Sequence, residues 1–216
     1  MDNQNVEKGV FMDSIIFDVD GTLWDSTFVV AKAWDEVAKR EYDPNINITA
    51  ELLKCHFGKL LPDIGRAIFT KAEESEALRL TDVCCEAEHE ALLATPPDVY
   101  SGMRETLAKL SEKYPLFIVS NCQAGYIEVF LQATGLGKYF QDHLCPGDTG
   151  VAKAENIKEI VRRNNLKDAV YVGDTMGDYR ATKEAGLPFI FASYGFGEVS
   201  TPDYTINQPI DLLKFL

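Results

Sequence analysis

Short apolar runs that end in Gly, Asp or Asn alternate along the chain with stretches whose apolar residues recur every three or four positions. The first run, residues 14–20 (SIIFDVD), is rich in β-branched residues and closes on Gly21-Thr22. It is continuous rather than alternating, the pattern of a strand covered on both faces of a parallel sheet. Similar runs stand at residues 115–121, 169–174 and 188–192. Between them Val99, Met103, Leu107 and Leu110 carry a helical period, as do Ile157, Ile160 and Val161. Strand and helix alternating in this way predict a doubly wound parallel α/β sheet, a Rossmann-like core whose ligands lie beyond the carboxyl ends of its strands. Residues 1–13 read as a polar lead-in.

One interval breaks the rhythm. About ninety-five residues separate the first run from the second, against the roughly thirty that a βαβ unit needs. The interval reads as helix over 27–41, 49–69 and 73–93, with loop-like breaks at 42–47 and 95–98. Leu52, Leu53, Phe57, Leu60, Leu61, Ile64 and Ile68 recur there with helical period. We expect an all-helical cap domain over 26–96, inserted into a core domain made of 1–25 and 97–216.

Composition narrows the function. The chain has 216 residues, 46% hydrophobic, enough to bury a full core. Its net charge of −13 disfavours nucleic-acid binding by bulk charge, yet leaves small anionic substrates open where a bound cation sets the local field. No apolar run is long enough to cross a bilayer, and residues 1–9 lack a signal peptide's apolar segment. The expected location is the cytoplasm. The five cysteines are odd in number and form no C-x-x-C pair, so reduced, partly buried thiols are expected.

The chemistry gathers at the ends of the strand-like runs. Asp18 and Asp20 are two apart, so in a strand both carboxylates leave the same face. Held that close they repel unless a proton or cation intervenes. If a helix begins near Thr175, Asp174 and Asp178 lie one turn apart and face one point. Four converging carboxylates make a hard-oxygen site suited to magnesium. Ser120-Asn121 offers a hydroxyl and an amide beside a helix start, where backbone N–H groups favour an anion. Lys153 precedes a helical stretch and brings positive charge to the same edge. Taken singly, each of these is more often a cap, a turn former or a solvated charge. Their order at successive boundaries is what points to one site.

Phe17-Asp-Val-Asp-Gly-Thr-Leu23, Ser120-Asn121, Lys153 and Gly173-Asp174-Thr-Met-Gly-Asp178 together resemble the four motifs of the haloacid dehalogenase-like hydrolase superfamily. The resemblance runs over nearly the whole chain, and the helical insertion looks like that of the branch containing phosphoglycolate phosphatase-like and β-phosphoglucomutase-like proteins. One departure stands at the third motif, where Lys153 is followed by Ala154 instead of the Pro common in relatives. The resemblance implies a phosphatase in which Asp18 attacks phosphorus and Asp20 acts as acid, then base. It implies phosphoryl binding by Ser120, Lys153 and the backbone near Asn121. It also implies Mg2+ held by Asp18, Asp20 through its carbonyl, and Asp174, with Asp178 orienting Lys153 or a water. Gly58-Lys59 breaks the second helical stretch, and β-phosphoglucomutase-like relatives carry a specificity loop near this place. Lys59 is therefore either a contact to the substrate, a small phosphorylated metabolite, or a solvated surface charge.

Two other readings compete. A phosphosugar mutase would keep both Asp18 and Asp20. A non-catalytic phosphorylation-switch domain would share the acidic pocket, but such domains are about one small domain long and carry no helical insertion. Dehalogenases of the superfamily lack the acid at the position of Asp20.

Overall fold

In the computed structural model, which describes residues 12–215, the alternation of the sequence becomes a layered α/β arrangement. Most of the lead-in expected at 1–13 lies outside the described residues. The strands are β1 (Ser14–Phe17), β2 (Leu116–Val119), β3 (Phe140–Leu144), β4 (Ala169–Gly173), β5 (Phe189–Ala192) and β6 (Tyr204–Ile206). They form one sheet in the order β3-β2-β1-β4-β5-β6, and every pairing is parallel. Between β1 and β2 come α1 (Thr27–Glu41), α2 (Ala50–Lys54), α3 (Leu61–Ile68), α4 (Glu74–Ala94) and α5 (Met103–Leu110). The later helices are α6 (Tyr126–Thr134), α7 (Pro146–Thr149), α8 (Lys153–Arg163) and α9 (Met176–Glu184).

The central strands are largely apolar because both faces are covered. Ile15, Phe17, Ile118, Val170 and Val172 belong to one apolar cluster, closed by Met103, Leu107 and Leu110 of α5 and by Ile127 and Phe130 of α6. Ile16, Phe117, Val119 and Tyr171 point into the other, closed by Ile157 and Ile160 of α8. The first cluster continues without a break into α1 and α4, through Trp34, Val37, Leu80 and Leu92.

Two strands were not anticipated. β3 reads Phe-Gln-Asp-His-Leu with only its last residue buried, and β6 is likewise half exposed. They are the sheet's edges, so neither needs an apolar run. The helix expected over 49–69 is two helices, α2 and α3. Gly58, at φ +84°, turns the chain between them, and a Cβ there would lie 3.2 Å from Thr175.

The strand order reverses between β1 and β4. The chain winds outward one way through β1, β2 and β3 and the other way through β4, β5 and β6, so a crevice opens at the carboxyl ends of β1 and β4. The segments leaving β1, β2 and β4 carry Asp18, Ser120 and Asp174.

Candidate active site

β1 stops at Phe17, three residues short of Asp20. The Asp18 N–H still donates to the Val172 carbonyl (2.9 Å), which fixes Asp18 against β4. The chain then turns as the Thr22 and Leu23 N–H groups donate to the Val19 carbonyl (3.2 and 2.7 Å). Gly21 sits in that turn at φ +81°, where a Cβ would lie 2.1 Å from an Asp174 oxygen. Only glycine fits, for backbone conformation and for space alike. The turn sends the two carboxylates into different surroundings, which corrects the expectation that Asp18 and Asp20 share a strand face.

Asp18, Asp174 and Asp178 each offer a carboxylate oxygen within 4.8 Å of the others, and all three are buried. Lys153, the first residue of α8 and also buried, donates to Asp18 (2.6 Å) and to Asp178. Asp178 is held from the other side by a capping box. Its second oxygen accepts from the Thr175 N–H (2.9 Å) while Thr175 Oγ1 accepts from the Asp178 N–H (3.2 Å). Asp178 is thus both the N3 partner of Thr175 in the cap of α9 and the carboxylate that aims Lys153.

Burial pushes the Asp18 carboxyl up, and Lys153 pulls it back to about 6. Burial, with Asp178 and Asp18 adding repulsion, holds Asp174 well above the carboxylate range. Burial opposes the charge on Lys153, but Asp178 and Asp18 keep its ammonium well above the usual lysine value. Three carboxyl groups facing one ammonium form a compact, all-oxygen donor set in which acids outnumber the cation. That is the chemistry of a hard divalent cation such as Mg2+.

The Asp20 carboxylate is not part of this cluster, a correction to the four-carboxylate site. Its Oδ1 accepts from Trp24 Nε1 (3.0 Å), Ser26 Oγ (2.5 Å) and Tyr126 OH (2.8 Å). These donors are neutral. Burial pushes Asp20 up to about 7, although the Ser26 and Tyr126 hydrogen bonds pull it down. All three donors use Oδ1, which leaves Oδ2 as the oxygen able to carry a proton to a ligand.

Asp18, Asp20 and Ser120 line a cavity of about 40 Å³ that is closed on another side by Trp34 of α1, Phe57 and Gly58 of the α2–α3 loop, and Glu88 of α4. Asn121 joins the two sides, its Nδ2 donating to the Gly58 carbonyl (2.8 Å). α6 begins only at Tyr126, so Ser120-Asn121 is not beside a helix start as expected. The extra residues after β2 bring Cys122 and Gln123 to the cavity instead. Lys59 does not line it. The Lys59 ammonium is exposed and lies 3.2 Å from the His56 ring nitrogen, because Gly58 docks its own backbone inward and turns the next side chain out. The cysteines are free thiols, four buried and Cys55 exposed. Among the described residues no helix is long and apolar enough to cross a membrane.

Glu88, Trp34, Gln123 and Tyr126 were missed from sequence. Glu88 left one signal: it stands four residues from both Cys84 and Leu92, on the buried stripe of α4. Its carboxyl accepts from Trp34 Nε1 and Gln123 Nε2. Burial pushes it up to about 8, from an ordinary 4.5. Below both values the folded and unfolded chains each hold this proton, and the group costs nothing. As pH rises from the lower value to the higher, the unfolded chain ionises first and stability is lost; above the higher value the loss is constant. Glu88→Gln removes that loss. At pH near 9 the variant is expected to melt roughly 5 °C or more above wild type, and near pH 5 to differ little. Differential scanning calorimetry at the two pH values checks this; an equal shift at both would show that Glu88 is not the titrating group.

Comparison with known proteins agrees with this fold. A protein-family model described as haloacid dehalogenase-like hydrolase matches residues 15–192. A phosphoglycolate phosphatase of Synechococcus elongatus is 30% identical over 214 residues, covering 94% of this chain and 96% of its own. One from Aquifex aeolicus is 28% identical over 220 residues, covering 95% and 97%. Among solved structures, a haloacid dehalogenase-like family hydrolase from Streptococcus pneumoniae superposes with a TM-score of 0.82 at 22% identity, covering 94% of this chain and 98% of that one.

Proposed function

The chain belongs to the haloacid dehalogenase-like hydrolases, and on that premise we propose that it is a magnesium-dependent phosphatase acting on a small phosphomonoester in the cytoplasm. The observation that carries this reading is the unlike setting of two neighbouring carboxylates. Asp18 is paired to an ammonium and Asp20 is held by neutral donors in the same cavity. A paired carboxylate stays ionised and can attack; one whose pKa is raised to about 7 can hold a proton and release it near neutrality.

An oxygen of Asp18 attacks phosphorus, and the bond from phosphorus to the ester oxygen breaks. Asp20 gives its proton to the departing alkoxide, leaving an aspartyl-phosphate on Asp18. Asp20, now ionised, takes a proton from water as the water oxygen attacks phosphorus. The bond to Asp18 breaks, inorganic phosphate leaves, and both residues return to their starting states. Lys153 and Ser120, with backbone N–H groups after β2, hold the phosphoryl oxygens, and Asp178 keeps Lys153 aimed. Magnesium, held by Asp18, Asp174 and the carbonyl of Asp20, would neutralise negative charge on the transferring group.

Helices α1–α4, within residues 26–96, serve in this reading as a cap. Glu88 and Trp34 line the same cavity as Asp18 and Ser120, and Gly58 is tied to Asn121, which supports that role. The small cavity supports a small alcohol half. Release of phosphate from an aryl phosphate tests the proposal. Activity with added Mg2+ should fall at least tenfold in excess chelator and return when Mg2+ is restored. Unchanged activity in chelator would overturn the metal's role.

A further inference from the structure

Glu88 is 4% exposed and is met by uncharged donors, the Trp34 indole and the Gln123 amide. A buried carboxyl without a cation is an expensive way to close a wall, and an apolar or amide side chain would close it at lower cost. Its cost points to a ligand that completes it. A second acceptor lies in the same wall. Asn121 commits its amide nitrogen to the Gly58 carbonyl, which sets the orientation of the group, and its buried Oδ1 has no hydrogen-bond partner. Such an atom needs a donor.

Positive charge does not come from the lining. Among the described residues, none of those lining this cavity is Lys, Arg or His. Lys153 is already committed to Asp18 and Asp178. His89 lies outside the lining, its ring nitrogen 3.0 Å from the Gln123 amide nitrogen, and burial holds its pKa below the ordinary value. A substrate with a carboxylate on its alcohol half would bring a second anion, beside its phosphate, to a wall that holds no cation to neutralise it. A substrate with hydroxyl or ammonium donors would satisfy both Glu88 and Asn121.

We propose that Glu88 and Asn121 select a phosphomonoester whose alcohol half carries hydrogen-bond donors, a phosphorylated polyol or amino alcohol, over a phosphocarboxylate such as phosphoglycolate. The proposal rests on the phosphatase reading above, and it separates this chain's substrate from the one that its relatives' names carry. The shared requirement is donation; a hydroxyl and an ammonium are its two sources.

The test compares kcat/KM for glycerol 3-phosphate, phosphoethanolamine, 2-phosphoglycolate and an aryl phosphate, with Mg2+ near neutral pH, in wild type and Glu88→Gln. In wild type at least one donor-bearing ester should exceed phosphoglycolate by about tenfold or more, the scale of one buried acceptor that a competitor leaves unpaired. Whichever of the two leads identifies the hydroxyl or the ammonium as the group recognised. In Glu88→Gln that ratio should fall by about fivefold or more, chiefly through KM. A merely structural role for Glu88 would lower all substrates together and leave the ratio in place. Phosphoglycolate equal to or better than both donor esters in wild type overturns the proposal without any variant. An unchanged ratio in a Glu88→Gln protein with wild-type circular dichroism overturns the role of Glu88. If the aryl phosphate is hydrolysed but the esters are not distinguished, this inference fails alone. If none of the four is hydrolysed, the phosphatase reading fails with it.

Discussion

Asp18→Asn is expected to abolish turnover, with phosphate release lowered at least about a thousandfold, close to 4 kcal/mol of lost transition-state stabilisation. An amide oxygen is a poor nucleophile and a weaker ligand for a hard cation, so attack and metal binding fail together. The fold should survive. Asp18 is buried beside Asp174 and Asp178, and burial already disfavours its charge. Removing that charge relieves the acidic cluster, while Lys153 keeps its partner in Asp178. Thermal melting should therefore show a cooperative transition close to wild type, and an aryl-phosphate assay should show no turnover. A folded Asp18→Asn protein with wild-type kcat would rule out Asp18 as the nucleophile.

Asp20→Asn should separate the two halves of the reaction. With a good leaving group Asp18 still attacks, since the departing aryl oxide needs no proton. Hydrolysis of the aspartyl-phosphate then lacks its base, and general-base loss costs about a hundred- to ten-thousandfold. The expected result is a burst of one aryl oxide per enzyme, a slow steady state, and a phosphoryl adduct by intact mass after acid quench. An Asn oxygen can still accept from Trp24, Ser26 and Tyr126, so the turn after β1 keeps its hydrogen bonds. Steady turnover of the aryl ester at the wild-type rate, without a burst, would remove Asp20 from the mechanism.

Much of the central sheet was legible because it is covered on both faces. Ile15, Ile16 and Phe17 are all buried, on alternating sides, and so write an uninterrupted apolar run. β3 and β6 escaped because an edge strand pairs on one side and leaves polar side chains in water. The motif residues were legible because each stands within a few residues of a strand or helix end, where sequence position alone brings it to the crevice. The place of Lys59 was not legible, for the opposite reason. Its neighbour Gly58 does reach the site, but at positive φ against Thr175, and a backbone turned that way sends the following side chain outward.

The doubly wound fold class, the expectation of a helical insertion and the candidate carboxylates Asp18, Asp20, Asp174 and Asp178 follow from the sequence by itself, because hydrophobic period and strand-end position are local properties. The separation of Asp20 from the other three begins in the local turn at Gly21, with Trp24 and Ser26 close by in sequence, but its set of donors on Oδ1 is completed only by Tyr126, a side chain 106 residues away. Glu88 is the sharper case. On α4 it is one acidic residue in an apolar stripe, and helical period cannot say what faces that stripe. Trp34, 54 residues before it, and Gln123, 35 residues after it, turn it into a buried acceptor on the wall of the cavity. The proposed chemistry at phosphorus thus rests on motifs, whereas the surroundings proposed for the alcohol half rest on which elements meet across the cavity, since desolvation and hydrogen-bond partners are set by neighbours in space.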